Sequence, residues 1–196
     1  MRITACLVTV LCAASVGLAQ EAIEWSSERK LTKDDFRGRV PANAANASLS
    51  WINIDTEWEC EGDELFATAR ATFDPSRSWW RSSHGNIWGN ASERMTSSRA
   101  QQQARRSLMQ LDQQLLEHEQ LHFDIAEVNV RRIRARFAEF KNVCGDPDGT
   151  APVQAMITRA DRELQEEQQR YDRETGHGVN ARAQEQWKLR IRALLK

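Results

Sequence analysis

The sequence offers little to cross-link and little to attract a polyanion. Its four cysteines contain no CxxC pair, so a cysteine-based zinc cluster has no framework here. No sign of charge dominates, with 27 Lys plus Arg against 28 Asp plus Glu, which removes the electrostatic argument for nucleic acid or an anionic membrane as partner. Any substrate must therefore be drawn to a local site. Histidine is scarce at four residues and tyrosine scarcer at one, so each of them is worth placing. There is no internal repeat, and the Gln-rich stretches at 101–120 and 164–169 read as solvated helix faces rather than low-complexity tails. A length of 196 residues suits one domain with a real core.

What is present begins with MRITACLVTVLCAASVGLAQ, in which Arg2 precedes an uncharged apolar run that closes on the small residues Gly17 and Ala19. This is the pattern of a secretory signal, with cleavage expected after Ala19 and a mature domain over 20–196. The run is short for a membrane span, and Leu11 before Cys12 does not suit lipid attachment. Export to the periplasm or beyond, with no stable membrane insertion, is the expectation. Cys6 and Cys12 leave with the signal, so Cys60 and Cys144 remain and are expected to pair in an oxidising compartment.

Along the mature chain, residues 23–45 read as an extended lead-in. Residues 47–60 and 63–73 alternate apolar and polar at period two, which predicts a β-hairpin turning at CEGDE. Residues 74–98 hold three tryptophans among Gly, Ser and Asn and are expected to form an irregular loop beside a cleft. From Arg99 to Asn142 there is neither Pro nor Gly, which predicts one long helix. At 100° per residue its apolar stripe gathers Leu111, Leu115, His118, His122, Ile125, Asn129, Ile133 and Phe140, while Leu116 and Phe123 off that stripe imply contact on more than one side. GDPDGTAP stops it. Two further helices are expected, over Val153–Arg173 and from a cap at Asn180 to Leu195. The fold class is α+β: an N-terminal hairpin or small antiparallel sheet packed on a long central helix and two C-terminal helices.

On the central helix, EHEQLHF at 117–123 fits HExxH. Residues four apart on a helix share a face, so His118 and His122 can reach one metal ion, and the glutamate between them points about 100° away. In zinc hydrolases built this way the metal polarises a carbonyl and lowers the pKa of a water, and the glutamate acts as general base. Glu119 is the candidate base and Zn2+ the candidate cofactor. Asp124 and Glu127 lie on other faces, so a third ligand must come from elsewhere. His177, in the glycine-flanked turn ETGHG, is favoured; His84 is its rival, and Glu174 and Asp172 are lesser options. Tyr171 is either a hydrogen-bond donor to an oxyanion or a packing residue between helices. Asp124 is read as a surface or capping residue ahead of a support for a ligating histidine.

LLEHEQLHFDIAE at 115–127, LTKDDFRG at 31–38, FDPSRSWW at 73–80, and YDRETGHG at 171–178 with Gln184 and Trp187 together resemble a bacterial family of domains of unknown function described as predicted secreted zinc-dependent proteases. The likeness runs from about residue 24 to the C-terminus, and departs at Lys33, where an aromatic is the expectation. It implies a zincin-like fold with His118 and His122 as ligands and Glu119 as catalytic residue, and it favours His177 as the third ligand. The leading expectation is an exported zinc metallopeptidase acting on a peptide or protein. A non-catalytic envelope protein with a structural metal and a partner-binding aromatic loop is the alternative, and an amidase of cell-wall peptide crosslinks shares the chemistry of the first.

Overall fold

Alternation at period two gives one face of the hairpin to the core and the other to water. In the computed structural model, which describes residues 21–81, 99–144 and 149–196, strands β3 (Ile52–Glu61) and β4 (Glu64–Phe73) pair antiparallel from Ile52 opposite Phe73 to Glu61 opposite Glu64. Gly62, with φ of 60°, supplies the left-handed residue that so tight a turn needs. Ala69, Ala71 and Phe73 of β4 are buried against the long helix. Strand β1 (Ile23–Glu24) covers the other edge of β4, so the extended lead-in does join the sheet.

The 47–60 run is not one strand. Its start, β2 (Ser48–Leu49), pairs instead with β5 (Trp79–Trp80), which gives a strand to a segment expected to be irregular. The break at Ser50 and Trp51 has a local cause. Trp51 N–H donates to Ser78 Oγ at 2.8 Å, and Trp51 C=O accepts from Asp74 N–H at 2.9 Å, so the corner takes hydrogen bonds that would otherwise continue the ladder. Gly38 packs on the same corner: its N–H donates to Ser78 C=O at 2.7 Å, and a Cβ there would lie 2.7 Å from that oxygen. The 31–38 and 73–80 blocks are thus in direct contact. Lys33, the residue that departs from the resemblance, pairs with Asp112 of the long helix.

Helix α1 (Arg99–Phe137) runs for 39 residues, roughly 58 Å at 1.5 Å per residue. It ends five residues before Asn142, so Phe140 lies beyond it; Asn142 itself adopts φ of 56°, which no helix continues. Leu111, placed by periodicity on the apolar stripe, is 59% exposed, whereas Asp112 beside it is buried and pairs with Lys33. Between His118 and Val130 nearly every residue is buried, on all sides of the helix. The sheet covers one side, with Phe123 against Phe73 at 6.1 Å between ring centroids. Helices α2 (Ala151–Thr175) and α3 (Ala181–Leu194) cover the other, where Ile157, Leu164, Tyr171, Trp187 and Ile191 are buried. Asn180 caps α3, accepting from Ala183 N–H. Cys60 at the hairpin tip is disulfide-bonded to Cys144, with Cα atoms 5.6 Å apart. Residues 1–20 and His84 lie outside the described residues, and among those described no helix is long and apolar enough to cross a membrane.

Candidate metal centre

The i, i+4 spacing works as helix geometry requires: His118 and His122 present their rings on one side of α1, centroids 4.7 Å apart. Facing them is α2, and it brings Asp172. His118 Nε2 lies 3.1 Å and His122 Nε2 2.9 Å from Asp172 Oδ1, and the two Nε2 atoms are 3.1 Å from each other. Ligands about 2.0–2.1 Å from a tetrahedral zinc stand about 3.3 Å apart, close to these separations. Two imidazole nitrogens and one carboxylate oxygen are also a donor set that holds zinc in hydrolases. The three residues therefore fit a divalent metal, and they are the group among the described residues whose ligand atoms converge in this way.

The electrostatics agree. Burial alone would lower the pKa of His122, yet the Asp172 hydrogen bond and the Glu119 and Asp172 charges leave it raised. Burial would raise the pKa of Asp172, yet hydrogen bonds from His118 and His122 hold it well below the ordinary carboxylate range. The pocket between these groups favours positive charge, supplied by a proton or by a cation.

Glu119 stands beside the group and is buried. One carboxylate oxygen accepts from Ser48 Oγ and the other from Ser50 Oγ. These serines are two apart on an extended segment, so their side chains emerge on one face and grip both oxygens. A cleft of about 590 Å³ opens over the centre. Residues 45–53 form one wall, Gln165, Gln168 and Gln169 of α2 another, and His118, Glu119, His122 and Asp172 the floor between them.

His177, favoured as third ligand, does not join the group. Its Nδ1 is 3.5 Å from Asp172 Oδ1 and its side chain is 62% exposed at the rim of the cleft. Asp172 occupies the inner position because α2 continues to Thr175 and so carries it, as an ordinary helical residue, toward α1. The ETGHG turn has another use. Gly176 and His177 reverse the chain with φ of 56° and 54°, and Gly178 then passes so close to His118 that a Cβ would lie 3.1 Å from that residue's Cβ and Cγ.

Tyr171 is fully buried, stacked on His118 at 4.6 Å between centroids. Its hydroxyl donates to Gln184 Oε1 at 2.8 Å behind the histidine and does not line the cleft, which is the packing arrangement and not that of an oxyanion donor. Burial pushes its pKa up. Asp124 accepts from Trp25 Nε1 and Gln120 Nε2, both at 2.8 Å, and so anchors the N-terminal segment. Glu127 pairs with Arg131 and Arg134, and Glu174 accepts from Trp187 Nε1. Sequence reasoning passed over Ser48 and Ser50, whose i, i+2 spacing was the available signal. It also passed over Gln168, four residues before Asp172.

Residues 90–178 match the family model described as a bacterial protein of unknown function, DUF922. The matched span contains His118, Glu119, His122 and Asp172 and ends at Gly178. It includes two of the four resembling blocks, 115–127 and 171–178, and its description names no reaction. No curated protein and no solved structure matches the chain.

Proposed function

We propose that this protein is an exported zinc-dependent hydrolase that cleaves a peptide or other amide bond with a water nucleophile. The observation that carries the reading is the convergence of His118 Nε2, His122 Nε2 and Asp172 Oδ1 on the floor of a cleft that also presents Glu119. Bound zinc would supply a Lewis acid that polarises a carbonyl and makes water more acidic. The chain's own residues do the rest. His118, His122 and Asp172 hold the metal; Glu119 takes the proton from the attacking water and returns it to the leaving amine. Ser48 and Ser50 fix the direction of that carboxylate, and the extended wall at 45–53 gives a peptide a surface to lie along. A peptide or protein, cell-wall peptide included, is the substrate class.

One observation favours a scaffold instead: both Glu119 oxygens are already engaged, so the carboxylate also ties α1 to β2. The test is metal content of the periplasmically expressed protein, purified without chelators, followed by a peptide-library digest with the parent and Glu119→Gln. About one zinc per chain and cleavage lost only in the variant support the hydrolase. Equal zinc with no cleavage by either protein supports the scaffold. Iron in place of zinc, with no cleavage by either protein, refutes the hydrolytic reading, since two histidines and a carboxylate also serve iron(II) oxygenases.

A further inference from the structure

Each ligand imidazole turns one nitrogen to Asp172 and the other to a glutamine. His122 Nδ1 is hydrogen-bonded to Gln168 Oε1, and His118 Nδ1 lies 3.3 Å from Gln184 Oε1. The direction of Gln168 is set independently of the ring. Its Nε2 donates to the His122 carbonyl at 2.9 Å, which leaves the oxygen as the end that faces Nδ1. Gln184 is aimed by Tyr171, whose hydroxyl donates to the same Oε1, while Gln184 Nε2 is buried with no partner among the described residues. An orphaned amide is a cost that a purely structural glutamine would be expected to avoid.

We propose that Gln168 and Gln184 are positioning residues for the metal centre, holding both imidazoles as Nδ1–H tautomers so that both Nε2 lone pairs point at one cation. The inference rests on the metal reading above and deepens it. Spacing supports it: Gln168 and Asp172 are one turn apart on α2 as His118 and His122 are on α1, so support and ligand face the pair at matching pitch. An amide oxygen orients the ring as a carboxylate would while adding no negative charge, so the cation keeps more of its acidity. Tyr171 then acts through Gln184 and not on substrate.

The experiment compares the zinc-loaded parent with Gln168→Met, Gln184→Met, Gln168→Glu and Gln184→Glu. Zinc affinity is read by chelator competition, and the ring N–H groups by NMR of 15N-histidine-labelled protein. Each Met variant should lose about 10–100-fold in affinity. Gln168→Met should lose the slowly exchanging Nδ1–H signal of His122 alone, and Gln184→Met that of His118 alone. Gln184→Glu should restore both signal and affinity, whereas Gln168→Glu, which sets a carboxylate oxygen against the His122 carbonyl, should restore them only in part. Met variants that bind zinc as the parent does, or a Gln184→Glu variant that fails to rescue, overturn the positioning role while the metal reading stands. A parent that takes up no zinc overturns both.

Discussion

Gly178 and Gly176 are two residues apart in one turn, and both have positive φ, at 84° and 56°. Alanine at either must adopt a left-handed conformation, at a cost of roughly 1–2 kcal/mol. Only Gly178 has a neighbour. An added Cβ there meets His118 Cβ and Cγ at 3.1 Å and Nδ1 at 3.4 Å, whereas at Gly176 it meets nothing within 4 Å. The two substitutions share a backbone penalty and differ in their effect on a metal ligand. Each should lower the melting temperature of the metal-free protein by about 2–8 °C, since 1 kcal/mol corresponds to about 2–4 °C at this chain length. Gly178→Ala must also push His118 by a few tenths of an ångström, disturbing both its contact with Gln184 and its place opposite Asp172. We expect a zinc affinity about 10-fold weaker, comparable to loss of a supporting hydrogen bond. The assay is thermal unfolding with and without zinc, because a ligand that binds only the native state raises its stability by RT ln(1 + [L]/Kd). The Gly176→Ala protein should keep the parent's zinc-induced rise and Gly178→Ala should lose about 1.4 kcal/mol of it. Equal rises in both variants would refute the claim that this turn braces His118.

Asp172→Asn keeps the shape of the ligand and removes its charge; chelator competition should show zinc affinity falling by more than the roughly 10–100-fold expected from loss of an outer partner, while His177→Ala stays near the parent value. Replacing Cys60 and Cys144 together by serine opens a closure spanning 84 residues in sequence, and chemical denaturation should show a loss of about 2–4 kcal/mol. Burial alone would raise the pKa of Asp35, but hydrogen bonds from Thr32 and the Arg29 guanidinium leave it lowered from 3.8. Its contribution is therefore complete above that ordinary value and is lost as pH falls through the depressed one. Asp35→Asn should be less stable than the parent at neutral pH, by about 1–2 kcal/mol, and the difference should shrink in acid titrations below pH 3.8.

Local physics accounts for which features were legible in the sequence. The hairpin, the three helices and the His118/His122 pair follow from periodicity and from the placement of Gly, Pro and caps, all of which act within a few residues. Cys60 and Cys144 were identifiable as partners because no other pair of cysteines remained once the segment expected to be a leader was set aside. Leu111 and Phe140 were misplaced because a periodic stripe says which face is apolar, and neither where the helix ends nor which of its residues the rest of the chain covers. Splitting β2 from β3 was also invisible, since Ser78 and Asp74 take over the hydrogen bonds of Trp51 only after the chain has folded back.

The sequence by itself determined that two histidines share a face with a carboxylate beside them, because one helix carries all three and its pitch sets their directions. The tertiary structure alone decided which third side chain meets them. Asp172 and His177 are five residues apart, and which of them reaches the histidines depends on where α2 ends and on how closely Gly178 packs against His118. The hydrogen-bond partners of this group, Gln168, Gln184, Ser48 and Ser50, come from α2, α3 and the segment around β2, and they meet it only when those elements close on α1. Short-range geometry is written in residue spacing, whereas convergence of distant segments is set by the packing of the whole core.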